Sequence, residues 1–258
     1  MGSKLRFDAI AAIITAAGSS SRMAGKKKEY QSLPSRSKDE KPLTVLGAAV
    51  SAFASIPEIN PIIITVAQGD ESAARASLPE ELRFTEPGSD KSRILFVTGG
   101  PTRRASVHNA LSRLETYKVS HVLIHDGARP WIKKPLIEKI ISAAKLYGAA
   151  IPALPLTETP KELERGVNAA SPAPKDGQAQ FVKRHLRRAE LCGAQTPQGF
   201  KFPEILRAHE KAAEKEKKEN AEYTDDAEVW GEFAGKVAVI PGDKENRKIT
   251  YPEDLNAN

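Results

Sequence analysis

The stretch AIAAIITAAGSSSRMAGKKKEY, Ala9 to Tyr30, runs from an apolar, β-branched segment straight into a glycine, three serines, an arginine and three consecutive lysines. An ordinary turn uses small residues but has no use for that much positive charge just past a strand end. Small residues at Ala16, Ala17 and Gly18 let a backbone approach a ligand closely, and the N–H groups of such a turn can cradle phosphates. The stretch therefore reads as a buried strand emptying into an anion-binding loop, with Arg22 and one of the lysines as fixed charges. It is neither of two familiar nucleotide loops. The dinucleotide pattern G-x-G-x-x-G is absent, and the P-loop pattern fails because six residues separate Gly18 from Gly25 and Lys26 is followed by another lysine.

Working outward, short β-branched runs alternate with segments whose apolar residues recur at helical spacing. Strands are expected at AIAAIIT (9–15), PIIITVA (61–67), RILFVTG (93–99), HVLIHDG (121–127), AAIPALPL (149–156) and KVAVIPG (236–242). Between them, PLTVLGAAVSAFASI, TRRASVHNALSRLETY and KPLIEKIISAAKLYG are expected helices. The alternation predicts an α/β fold with a doubly wound, mostly parallel, Rossmann-like sheet, in which ligands sit at the carboxyl ends of strands. Two polar segments interrupt it, PSRSKDEKP (34–42) and ERGVNAASPAPKDGQAQ (164–180). The second is too long for a connection inside a compact sheet and reads as a protruding arm. One domain over residues 1–258, with the arm at about 159–188, is the expected organisation. HEKAAEKEKKEN (209–220), with acids alternating among lysines, reads as a solvated helix face.

The other strand ends point the same way. RILFVT is followed by GGPTRRASV, which places Gly100, Arg103 and Ser106 at a turn and helix start. HVLI is followed by HDGARP, which places Asp126 at the strand end with Gly127 and Arg129 just beyond. An acid at the carboxyl end of a central strand rarely serves packing. Near the C-terminus ENRKITYPEDL sets Lys248 after a strand and turn. Arginines, lysines, a serine and an acid are thus delivered to one edge of the sheet.

The formal net charge of +6 and a sequence pI near 9.3 suit an anionic partner, nucleic acid or a phosphorylated small molecule. Cys192 is the single cysteine, which excludes an internal disulfide and a cysteine-clustered zinc site. The apolar runs are too short to span a bilayer, and the N-terminus carries no export signal, so a cytoplasmic protein without a membrane partner is expected. No RNA- or DNA-binding motif is present and aromatic content is 6%, so nucleic acid is the weaker of the two partners.

Taken in order, AAGSSSRM, GGPTRRASV, HDGARP, TETPK, QTPQGF, TDDA and NRKITYPEDL closely resemble the 2-C-methyl-D-erythritol 4-phosphate cytidylyltransferase family, from about Ala11 to Leu255. The resemblance implies transfer of CMP from CTP to a polyol phosphate with release of pyrophosphate, in non-mevalonate isoprenoid synthesis. It implies Mg²⁺ bridging triphosphate oxygens, with no protein group singled out as its ligand, and a homodimer in which the arm reaches a second subunit. The attacking phosphate oxygen is already anionic, so the chemistry needs charge neutralisation and positioning rather than a general base. By residue matching, Arg22, Lys28 and Lys248 would be catalytic. Ala16, Ala17, Gly18, Ser20, Gly100, Arg103, Ser106 and Gly127 would hold the nucleotide, and Asp126, Arg129, Thr159 and Arg188 the polyol phosphate. Lys28 rather than Lys26 or Lys27 follows from aligning KEY with the family's lysine-glutamine-tyrosine. The chain departs from the family at Ser20 or a neighbour, where a second glycine is usual. Two alternatives stay open: a cytidylyltransferase for a pentitol phosphate such as ribitol 5-phosphate, and a basic nucleic-acid-binding protein.

Overall fold

A computed structural model describes residues 9–20, 23, 27–34, 42–83, 93–164 and 181–256. Its centre is a set of parallel strands: β1 (Ile10–Ala16), β2 (Ile59–Val66), β3 (Ile94–Thr98) and β4 (His121–Asp126). β5 (Ala149–Pro155) and β10 (Ala238–Pro241) continue the sheet on the other side of β4. Across the sheet the order is β10-β5-β9-β4-β1-β2-β3, where β9 (Gln198–Lys201) runs antiparallel between β4 and β5. β8 (Cys192–Ala194) pairs antiparallel with the end of β5. All six expected strands are present, within a few residues of the expected limits.

The central strands are apolar on both faces because helices cover both. Along β1, Ile10, Ala12, Ile14 and Ala16 face one layer, and Ala11 and Ile13 the other. The first layer is built from α1 (Val45–Ala54) and α5 (Lys134–Tyr147), with the short α2 (Glu71–Ala76) and α3 (Glu80–Arg83) adding Ala74 and Leu82. α5 carries Pro135 in its first turn and ends at Gly148, whose φ of 84° suits glycine alone; its Leu136, Ile137, Ile140, Ile141 and Ala144 form the buried stripe. α1 is capped by Thr44, whose hydroxyl accepts from Gly47 N at 2.9 Å, and it buries Phe53 completely. Removing that ring costs about 3–5 kcal/mol.

The second layer is α4 (Arg103–Arg113), α6 (Glu204–Glu219) and α7 (Asp226–Phe233). α6 contains the segment read as a solvated face, and that reading holds for one side only. Ile205, Leu206, Ala208, His209 and Ala212 are buried, and Glu216 pairs with the buried Arg104 at 2.7 Å. β9 was not expected, since its four residues include a glutamine and a glycine. Gly199 explains its place: a Cβ there would fall 2.8 Å from Ile140 and 3.1 Å from Leu123, so only glycine lets α5 lie across this strand.

After β5 the chain leaves the sheet. β6 (Lys161–Leu163) and β7 (Val182–His185) form an antiparallel hairpin of their own, and every residue of β7 is exposed. Of the excursion expected at 164–180, residues 165–180 lie outside the described residues, as do residues 35–41 of the insertion at 34–42.

Candidate functional site

A cleft of about 460 Å³ opens at the carboxyl ends of β1, β2 and β4. Four chain segments, far apart in sequence, make its walls. The loop after β1 contributes Ala17, Gly18 and Ser20, and the short 3-10 turn Lys28–Tyr30 contributes Lys28 and Glu29. The turn after β3 contributes Gly100, Arg103 and Ser106. Asp126 ends β4, and Lys248 and Thr250 come from the segment after β10.

Each wall is set by local bonds. At Gly100 a Cβ would fall 2.5 Å from that of Ala105, so glycine is required for the turn to close on α4. Thr102 caps α4 by accepting from Ala105 N at 3.0 Å, while the Ser106 hydroxyl accepts from Gly100 N at 3.0 Å and donates to Thr102 O at 2.9 Å. Ser20 takes φ 50°, the left-handed region that glycine adopts without strain. Lys27 turns away from the cleft: its Nζ donates to Gly18 O at 2.7 Å and lies 3.3 Å from Asp70. Lys28 lines the cleft, and its Nζ donates to Ile249 O at 3.0 Å, tying the first loop to the last segment.

Asp126 is the electrostatic centre. Lys248 Nζ stands 2.9 Å from its Oδ2, Arg129 Nε 3.5 Å from the same oxygen, and Arg103 Nε 3.6 Å from Oδ1. Burial would raise this carboxyl, but Lys248, Arg103 and Arg129 override it and hold it far below the usual carboxylate range. It is a permanent anion that organises cations and cannot serve as a proton acceptor near neutral pH. Arg103 is shared with Asp226 at 2.7 Å, and these acids outweigh its burial and raise it further. Asp226 is buried and also faces His209 at 3.3 Å.

Beneath the cleft His125 is wholly buried, and burial lowers it to about 4, so it is neutral at pH 7. Its Nε2 is 3.2 Å from Arg129 O and its Nδ1 3.0 Å from the Thr196 hydroxyl; the neutral ring donates through Nε2 and accepts at Nδ1. The Thr196 hydroxyl in turn accepts from Asp126 N at 3.1 Å. The buried Asn246 donates to Thr196 O at 2.7 Å, and Gln195 donates to Asp243 O at 2.9 Å, so the segment carrying Lys248 is fastened to the turn before β9.

Of the residues expected from the sequence, Ala17, Gly18, Ser20, Lys28, Gly100, Arg103, Ser106, Asp126 and Lys248 line the one cleft. Ala16 is buried as the last residue of β1, and Gly127 and Arg129 stand behind Asp126, where Arg129 donates to Asn246 O at 2.8 Å. Thr159 and Arg188 are not among the lining residues; Arg188 donates to Thr157 O at 2.5 Å at the root of the arm. Arg22 and Lys26 lie outside the described residues. The sequence reading missed Asp226, although the motif TDDA holds it, and it missed Glu29 and the pair His125 and Thr196. Two of these follow motif acids or precede them, but only packing reveals which side chain points inward.

Among the described residues no three acidic, histidine or cysteine side chains come together to hold a metal ion. The donor set fits a different arrangement. Asp126 is engaged by three cations, and the cleft is lined by positive charge suited to a polyphosphate, so a divalent ion would depend on ligands brought by the anion rather than on a protein cage. Also among the described residues, no helix is long and apolar enough to cross a membrane.

Sheet order and cleft together define an α/β protein of the nucleotidyltransferase type. The family model for IspD, 2-C-methyl-D-erythritol 4-phosphate cytidylyltransferase, matches residues 10–258. The chain belongs to that family, whose nucleotidyl transfer generally uses a divalent metal. It is 35% identical over 249 residues to the 2-C-methyl-D-erythritol 4-phosphate cytidylyltransferase of Pelotomaculum thermopropionicum, covering 96% of this chain and 92% of that protein. It is 38% identical over 247 residues to the bifunctional enzyme IspD/IspF of Bradyrhizobium sp. ORS 278, covering 95% of this chain and 54% of that one. The chain thus spans about half the length of its bifunctional relatives. Among solved structures, a crystal structure of 4-diphosphocytidyl-2C-methyl-D-erythritol synthase from Anaerococcus prevotii superposes with a TM-score of 0.71 at 27% identity, covering 99% of this chain and 96% of that one.

Proposed function

We propose that this chain transfers CMP from CTP to 2-C-methyl-D-erythritol 4-phosphate. A phosphate oxygen of the polyol attacks the α-phosphorus of CTP, the bond from that phosphorus to the bridging oxygen breaks, and pyrophosphate leaves. The observation that carries the reading is the cleft itself, with Lys28, Lys248 and Arg103 converging where four segments of a family-matching chain meet.

The attacking oxygen is ionised at neutral pH, so no proton need be removed from it. What the protein must do is hold two anions in line and neutralise charge as the α-phosphorus becomes five-coordinate. Lys28 and Lys248, with Arg22, are the groups we assign to that task. The loop from Ala16 to Ser20, with Gly100, Arg103, Ser106 and Gly127, would hold the nucleotide. Asp126 and Arg129 would orient the polyol phosphate, with Asp126 also keeping Lys248 and Arg103 extended. Mg²⁺, when bound with the nucleotide, would supply further charge neutralisation.

The arm fits a homodimer. A two-stranded hairpin is marginal by itself, yet β7 is exposed throughout, and Phe181 just before it is 64% exposed. Thr159 and Arg188 do not line this chain's cleft, which suits a role in completing the cleft of a second copy. The whole forms one cytidylyltransferase domain with a dimerisation arm.

The test is turnover of CTP, UTP, ATP and GTP with Mg²⁺, offered with methylerythritol phosphate or ribitol 5-phosphate, read by pyrophosphate release. CTP with methylerythritol phosphate is the expected pair. Equal turnover of UTP and CTP, or preference for ribitol 5-phosphate, defeats the assignment.

A further inference from the structure

Two carboxyl side chains line the cleft among the described residues, and the reaction accounts for one of them, Asp126. The other, Glu29, is 3% exposed. A buried acid in a cleft for a polyphosphate works against the ligand, and burial pushes its carboxyl up, opposed by its own backbone N–H, Lys28, Ser20 and Lys27. Its cost must be offset by something it does.

What it does is visible at Ser20. The Ser20 hydroxyl donates to Glu29 Oε2 at 3.1 Å and accepts from Lys28 N at 3.3 Å. Ser20 also holds φ 50°, and its carbonyl accepts from Met23 N at 2.8 Å. A left-handed turn at a residue other than glycine persists only where its surroundings over-determine it. Here a single hydroxyl, oriented by one carboxylate, joins the glycine-serine loop to the backbone of the lysine that faces the cleft. The donation to Glu29 leaves the hydroxyl's lone pairs for the Lys28 amide, so removing the acid loosens both contacts.

We propose that Glu29 is a positioning residue: through the Ser20 hydroxyl it locks the left-handed turn of the nucleotide loop and fixes the backbone of Lys28. The inference rests on the reading of the cleft as a triphosphate site. The lock itself, however, belongs to the free protein and can be measured there.

Amide hydrogen exchange on the ligand-free full chain reads the Lys28 N–H directly. Glu29→Ala is expected to speed exchange at Lys28 about tenfold, the size of one lost hydrogen bond, while Glu29→Gln, which keeps an acceptor oxygen, restores protection. In turnover, Glu29→Ala raises KM for CTP about tenfold with a smaller fall in kcat, because the loop grips the nucleotide in ground and transition states alike. A purely structural role would lower thermal stability and the active fraction with KM unchanged. Ser20→Ala, which loses the tether and keeps the strain, is worse than Ser20→Gly, which loses the tether but relieves the strain. Adding Glu29→Ala to Ser20→Ala costs nothing further. Unchanged Lys28 exchange in Glu29→Ala, or additive effects in the double variant, overturns the proposal. If Glu29→Ala does not fold, unchanged exchange in Ser20→Ala overturns it equally. A wild-type chain that ignores CTP refutes the functional reading and leaves the exchange measurement standing.

Discussion

The cleft and the arm are both rich in charge, but they use it oppositely. In the cleft one buried acid, Asp126, faces three cations from three separate segments. In the arm one acid, Glu162, faces Lys183 at 2.6 Å and Arg184 at 2.8 Å, neighbours on the facing strand and open to water. The arm's pairs satisfy themselves and are screened by salt. The cleft's set leaves positive charge in excess in a sheltered place, which is what an anionic ligand requires. Position within the fold, not number of charges, separates a site from a surface.

The sharpest way to break this comparison is to remove cleft cations. Lys28→Ala, Lys248→Ala and Arg22→Ala are each expected to lose about 10²–10³ in kcat, the usual cost of a donor aimed at a transition state. Steady-state turnover that stays near wild type in Lys28→Ala while collapsing in Lys27→Ala would shift the assignment by one residue.

The arm has its own decisive experiment. Arg188→Ala should be strongly impaired, and mixing it with Lys248→Ala chains should restore part of the activity that each lacks, since one cleft of a mixed dimer would be intact. An inactive mixture, or a fully active monomer by light scattering at micromolar concentration, removes the arm from the site.

Acid sharpens the contrast further, because the ionisable groups beneath the cleft are buried. His125 takes a proton near 4 when folded and near 6.5 when unfolded, so between those values the unfolded state binds the extra proton. Its contribution is therefore complete above about 6.5 and is lost as pH falls toward 4; Asp126, with its folded value lowered, adds a loss only below about 3.8. Thermal midpoints should drop steadily from pH 7 to 4.5, and His125→Gln should flatten that slope. An unchanged slope in the variant would assign the loss elsewhere.

The smallest effects belong to charges that face away. Lys27→Ala should cost a few-fold at most, through its bond to Gly18 O. Lys183→Ala should change turnover and stability by less than twofold, as expected of an exposed ion pair. A tenfold loss in Lys183→Ala would place the hairpin's charges in the chemistry.

Much of the fold is legible in the sequence. β1 to β5 announce themselves by β-branched runs and α5 by its apolar stripe, because burial on both faces leaves few residue choices. Asp126 and Gly100 were readable because turn residues at strand ends sit where ligands bind. The remainder depended on partners distant in sequence. Four residues around Gly199 become a strand only because β4 and β5 flank them, and Glu29 looks like a surface acid until Ser20 folds over it. The inner face of α6 was hidden because small and polar buried residues, Ala208, His209 and Ala212, give little hydrophobic signal.

The position of β9 governs how the chain can assemble. β1 to β4, with α1 and α4, come from the first half of the sequence, but β5 cannot join that sheet directly, since β9 separates it from β4. The sheet closes only when residues near 200 arrive, and Lys248 reaches Asp126 later still. Long-range closure of this kind is slow compared with local helix formation. During synthesis, then, the edge of β4 waits for β9, and the cleft is complete only once Lys248 and Thr250 have been made.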